Sequence, residues 1–168
     1  MIGRFKLISL LKKRLVKGWC LFDFSISSYP TLILTFFYGS YYVKQIAENE
    51  ITGTSNWGFS ISIASSLTFF LFSYLLLIKS QKVRKLNISF FLFFFSSLVL
   101  SMICLFFFGK DSNRFLPLFL IIISFVSFEV LNFFYNLCLH KVSKPESQGA
   151  VSNLGWAAGY VGGLLSLL

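Results

Sequence analysis

Charge is what this chain has least of. Only 12% of its 168 residues are Asp, Glu, Lys or Arg, about half the share of an ordinary soluble domain. Acids are the scarcer sign, six against fifteen basic residues, and there is a single His. Cys20, Cys104 and Cys138 each lie inside an apolar run. No two of them have metal-ligand spacing, so they read as small apolar packing groups and no metal site is expected. No nucleophile elbow, phosphate-binding Gly loop or dinucleotide fingerprint is present, so no cofactor is implied. These lacks exclude a water-soluble enzyme, a nucleic-acid binder and a disordered tail.

Apolar residues fill the space that charge leaves. The chain is 56% hydrophobic with 23 Phe, and its mean hydropathy is +0.77. That composition belongs to the membrane class. Phe, Ile, Ser, Lys and Asn are abundant while Ala numbers five. This bias matches AT-rich codon usage, so the Phe runs carry no functional weight.

A hydrocarbon core about 30 Å thick needs about 20 apolar residues in a helix. Five segments qualify, at 19–42, 57–78, 87–109, 115–139 and 149–168. Runs such as Phe90 to Phe95 do not alternate, which excludes barrel strands. Backbone groups in lipid must bond within the segment, so the fold class predicted is an all-α membrane protein of five transmembrane helices.

The net charge of +9 is distributed unevenly. Six basic residues precede the first span: Arg4, Lys6, Lys12, Lys13, Arg14 and Lys17. Lys79, Lys82, Arg84 and Lys85 lie between spans two and three, and Lys141 and Lys144 between four and five. The other two loops hold only Lys44, Lys110 and Arg114. Twelve cations against three place the amino terminus in the cytoplasm. Such loops occur in plasma and organelle membranes alike, so the expected home is the inner membrane of a bacterium or a vacuolar or other organelle membrane of a eukaryote. Residues 1–17 are predicted to form a basic amphipathic segment, with Phe5, Ile8, Leu11 and Leu15 at helical spacing. Residues 18–168 form the transmembrane domain. Trp19 and Trp57 stand at span ends, where indole rings favour the interface.

Polar residues inside the spans are the candidates for function. Asp23, Ser27, Thr31 and Thr35 recur every four residues in the first span, and Pro30 interrupts it. That series forms a polar stripe on one helix face. Ser and Thr hydroxyls are expected to satisfy the carbonyls that Pro30 frees. The plain alternative is a kinked helix whose Asp23 caps a neighbour or reaches the cytoplasmic interface. Glu129 is deeper, with Asn132 and Asn136 on its face at i+3 and i+7. A charge near mid-membrane costs at least about 2.5–3.5 kcal/mol, so such acids face a bundle interior or a cavity. Asp23 is expected to matter less than Glu129 if it sits near the cytoplasmic interface. Its plain alternative is a structural hydrogen bond to another span. The last span carries Gly155, Gly159 and Gly163, a small-xxx-small series that lets helices approach closely. His140, beside Lys141 at a helix end, reads as a solvated interfacial residue.

Two stretches, Gly18 to Pro30 (GWCLFDFSISSYP) and Phe134 to Gly163 (FYNLCLHKVSKPESQGAVSNLGWAAGYVGG), carry a family resemblance. The first resembles the opening of the vacuole effluxer family of the major facilitator superfamily, the autophagy-related permeases and their bacterial relatives. The second resembles that family's Phe-Tyr-Asn at the end of span four, its Pro-Glu loop and its glycine-patterned span five. The loop after span two departs from the superfamily pattern. It reads IKSQKVRKL, keeping a basic end in Arg84 and Lys85 as a gating-loop remnant but lacking the Gly and Asp.

The resemblance implies a secondary transporter of small solutes, amino acids among them, with about twelve spans in two six-helix halves. Five spans then amount to an incomplete amino-terminal half, and the missing spans are expected elsewhere, as a separate chain or a longer reading frame. It also implies proton- or substrate-facing roles for Asp23, Ser27, Thr31, Glu129, Asn132 and Asn136. Expected partners are the lipid bilayer and a small solute. The rival reading is a non-transporting membrane protein with an assembly or regulatory role, docking through the span-five glycines. An intramembrane enzyme is the weakest reading, since no nucleophile-base pair is visible.

Overall fold

Every regular element among the described residues is helical. The computed structural model describes residues 14–77, 88–110 and 113–168. The basic segment before Arg14 and the loop holding Arg84 and Lys85 lie outside them. Four helical runs are long and apolar enough to cross a membrane: Arg14–Ile46, Glu50–Leu75, Ile88–Leu105 and Leu116–Val142. The fifth expected span is also helical, Gln148–Leu165, but richer in glycine and only 18 residues long, roughly 27 Å at 1.5 Å per residue.

The first run is not a uniform α-helix. It begins as α1, Arg14–Ile26, and continues as a π-helical stretch, Tyr29–Phe36. A short α2, Tyr38–Tyr41, and a second π stretch, Tyr42–Ile46, follow. The wider register shows in i to i−5 bonds, Phe37 N–H to Leu32 O at 3.0 Å and Ala47 N–H to Tyr42 O at 2.9 Å. Pro30 supplies the reason for the first stretch. In π register its missing N–H would have bonded the Ser25 carbonyl. The Ser28 hydroxyl donates to that carbonyl instead, at 2.9 Å. Thr31 likewise donates to Ser27 O at 2.9 Å. The expected hydroxyl repair thus occurs, within a π-helix.

Helix α3 runs Glu50–Leu77, two turns earlier than its apolar stretch begins. Asn49 explains the early start. Its Oδ1 accepts from the Thr52 N–H at 2.9 Å, the bond of an N-cap to the third helical residue. Glu50 then sits in the first turn, where the helix dipole favours an anion. Inside the span, the Ser60, Ser62, Ser66 and Thr68 hydroxyls each donate 2.8 Å bonds to the carbonyl four residues back. Such bonds let a hydroxyl-rich helix sit in lipid without unpaired groups. Helix α4 is Ile88–Leu105, and α5 is Leu116–Val142. Asn113 Oδ1 accepts from the Phe115 and Leu116 N–H groups at 2.8 and 3.2 Å, capping α5. After a 3-10 turn, Pro145–Ser147, α6 occupies Gln148–Leu165.

The chain divides into two compact units, residues 1–38 with 135–168, and residues 39–134. In the second unit, the Trp57 ring of α3 lies over Gly39, where a Cβ would come within 3.1 Å of it. Trp57 also meets Tyr42, ring centroids 5.9 Å apart. Phe72 of α3 stacks on Phe133 of α5 at 4.9 Å, and Ser127 of α5 donates to Ser97 of α4 at 3.2 Å. The two loops expected to share a membrane side do meet. Tyr41 O–H donates to Phe108 O at 3.1 Å, Tyr42 O–H to Arg114 O at 3.2 Å, and Arg114 pairs with Glu48 at 2.7 Å. With side chains 49% and 69% exposed, that ion pair adds at most about 1 kcal/mol. The buried tyrosine fixes the loops more firmly than the charges do.

Impermeant thiol reagents should label single cysteines placed at Glu48 and Arg114 from one side of the membrane. Cysteines in the Lys79–Lys85 loop should react only from the cytoplasm. Labelling of all three from one side would refute the alternating spans.

Candidate functional site

In the first unit the polar stripe of α1 lies against the glycine face of α6. The correspondence is residue by residue. A Cβ at Gly155 would stand 3.1 Å from Asp23 Oδ2 and 2.7 Å from Trp19 Nε1. At Gly159 it would stand 3.1 Å from Asp23 Oδ1 and 2.7 Å from Ser27 Oγ, and at Gly163 2.7 Å from Thr31 Oγ1. Positions rise together on both helices, so α1 and α6 run parallel. Four-residue rows meet four-residue rows, the packing of i±4 ridges into matching grooves. Gly162 makes the closest approach, since a Cβ there would run into the Phe24 carbonyl of α1.

Close approach seats the carboxylate. Asp23 spreads its two oxygens over Gly155 and Gly159, space that any other residue would fill with side chain. From α5, Tyr135 O–H donates to Asp23 Oδ2 at 3.1 Å. Tyr135 is itself held in place: its ring stacks on Trp19 with centroids 3.6 Å apart and planes at 19°, and on Phe22 at 5.2 Å. Val16, Trp19, Tyr135 and Val151 form a buried cluster, with Cys20, Cys138, Val142 and Leu154 packed around it. Three helices thus contribute to one acid: α1 the carboxylate, α5 the phenol, α6 the bare backbone.

The sequence-predicted residues separate into two groups. Asp23, Ser27 and Thr31 meet Gly155, Gly159 and Gly163, whereas Thr35, last of the series, is exposed. The change to π register at Tyr29 breaks the four-residue spacing. Glu129 and Asn132 are partly buried on α5, and Asn136 is exposed. No hydrogen bond to Glu129 occurs among the described residues. Of the two acids, Asp23 is the one with a hydrogen-bond partner among the described residues. His140 is exposed, as expected. The aromatic residues of the last span divide cleanly from its glycines: Trp156 and Tyr160 are 64% and 70% exposed, while Gly155, Gly159, Gly162 and Gly163 are buried.

No family model matches this chain, and no curated protein or solved structure is significantly similar to it. The site is read from its own geometry.

Two members of the site were not singled out from the sequence. Trp19 was expected at the interface but is 5% exposed, in the core. A signal existed: stepping the Asp23, Ser27, Thr31 series back by four residues reaches Trp19. Its Nε1 is buried without a hydrogen-bond partner among the described residues. Tyr135 stands in the Phe-Tyr-Asn stretch, but its partner, 112 residues away, carried no signal.

Gly162→Ala should destabilise the protein by about 1–3 kcal/mol, the range for overpacking, because the obstacle is backbone. Gly155→Ala should cost less, since its neighbours are side-chain ends that can turn aside. Tyr135→Phe removes one intramembrane hydrogen bond, worth about 1 kcal/mol. Thermal melts in detergent should rank Gly162→Ala as the most damaging of the three. Equal melts for the two Ala variants would place the closest contact elsewhere.

Proposed function

We propose that this chain forms part of the amino-terminal half of a major-facilitator-type secondary transporter that moves small solutes, amino acids among them, across a membrane. The observation that carries the reading is the carboxylate of Asp23, held among three helices and hydrogen-bonded by Tyr135 at 3.1 Å. An acid kept inside a membrane bundle is costly, and it marks ion or substrate pathways by default. The two stretches that resemble the vacuole effluxer family, more than 100 residues apart, are also the two that build this unit. Asp23 lies in one, and Tyr135 with the four glycines in the other.

In this reading Asp23 is the group that holds and passes a proton or meets the cationic end of a solute. Ser27 and Thr31 extend its polar face, and Glu129, with Asn132 and Asn136, is a second acid on the pathway. The resemblance implies two six-helix halves rocking about a central site, so transport draws on further spans. The rival reading is an assembly protein; its docking would use another face than the α6 glycines, since Gly155, Gly159 and Gly163 lie against Asp23, Ser27 and Thr31 of the same chain.

Cells carrying the chain in its native membrane should differ in retention of radiolabelled amino acids from cells carrying Asp23→Asn at equal abundance. The amide keeps the shape and the Tyr135 bond but cannot ionise, so the flux attributable to the chain should fall at least about tenfold. Identical retention of every amino acid and other small solute offered would refute a transport role for Asp23 and favour the assembly reading.

A further inference from the structure

The buried cluster of Val16, Trp19, Tyr135 and Val151, with Val142 and Ala150 packed against it, has a consequence at its polar edge. It ties together the start of α1, the end of α5 and the start of α6. Each brings cations: Arg14 and Lys17 flank Val16, Lys141 precedes Val142, and Lys144 lies in the linker to α6. All four are exposed. None takes part in an ion pair among the described residues, and Glu146 is the single carboxylate in these segments. In the second unit Arg114 is paired with Glu48, while Lys44 and Lys110 are exposed and make no ion pair among the described residues. Orientation by loop charge needs only cations on one side. It does not need three helix ends drawn together with their charges left unpaired.

We propose that this polar edge binds the phosphate headgroup of an anionic lipid through Arg14, Lys17, Lys141 and Lys144. The position suits such a ligand. Leu15 and Leu21, 63% and 67% exposed, continue outward from the same helix start and offer an apolar surface for acyl chains. Long basic side chains at helix ends extend to headgroup level while their stems stay in the apolar layer. Each cation near an anionic surface is expected to raise lipid affinity by roughly five-fold. The bound phosphate would bridge α1 to α5 and α6, at the end where the Asp23 site also joins these three helices. The proposal stands on the membrane reading and is independent of transport.

The test uses the full chain purified in zwitterionic detergent, with phosphatidylglycerol, phosphatidylcholine or inorganic phosphate added. Binding is read by native mass spectrometry and by thermal melting. Phosphatidylglycerol should remain bound and raise the melting temperature, phosphatidylcholine should do neither, and inorganic phosphate should not displace the lipid. Arg14→Gln with Lys17→Gln, Lys141→Gln and Lys144→Gln should weaken phosphatidylglycerol binding at least tenfold. The pair Lys141→Gln and Lys144→Gln, which leaves α1 untouched, should give a smaller loss. Lys44→Gln with Lys110→Gln should change nothing. Unchanged binding in the fourfold variant, an equal loss in the Lys44 and Lys110 variant, or displacement by phosphate would each overturn the proposal.

Discussion

The approach of α1 to the glycine face of α6 is the constraint on which the rest of the first unit depends. In lipid no hydrophobic force draws two helices together, so shape must supply the attraction. Gly162 opposite the Phe24 carbonyl sets the distance, and Gly155, Gly159 and Gly163 maintain it along the helix. At that distance Asp23 has nowhere to go but across the α6 backbone. The same closeness carries the start of α6 to Val16 and Trp19, and so assembles the buried cluster that Tyr135 joins. Packing, the seat of the acid and the convergence of helix ends follow from one row of missing side chains.

The row works because α1 is irregular in the right place. A regular α-helix through Pro30 would leave a carbonyl unpaired in lipid. In the π stretch beginning at Tyr29 the missing N–H falls instead on the Ser25 carbonyl, which accepts from the Ser28 hydroxyl, and the helix phase changes. The polar stripe therefore meets α6 over three residues and then turns away, leaving Thr35 exposed.

Much of this was legible in the sequence, for physical reasons that differ by element. Helix class and four of the five expected spans follow from hydropathy, which needs no tertiary information. The glycine face of α6 was legible because four-residue spacing has few other uses in a membrane helix. Its partner was not, since periodicity shows that a face is sticky and not which helix it meets. The start of α3 was misplaced because an apolar window ignores Asn49, whose side chain begins the helix two turns before lipid does. The burial of Trp19 was not legible, because an indole at a span end has an ordinary interfacial role and its neighbours Tyr135 and Val151 come from distant parts of the chain.

The two acids show why depth in sequence is a poor guide to importance. Glu129 lies nearer the middle of its apolar run, with two amides on its face, and on insertion cost alone it is the more demanding residue. Cost measures only what a residue must overcome, whereas a site needs neighbours that fix it. Asp23 has a phenol from α5, two glycines beneath its oxygens and a Pro-adjusted helix that ends its stripe. Glu129 has burial and no hydrogen bond among the described residues. A fixed acid can exchange a proton or a cation at a defined place, and each change there is felt at once by three helices. Such coupling between one group and several helices is what the proposed transporter reading calls for, and among the described acids Asp23 has it.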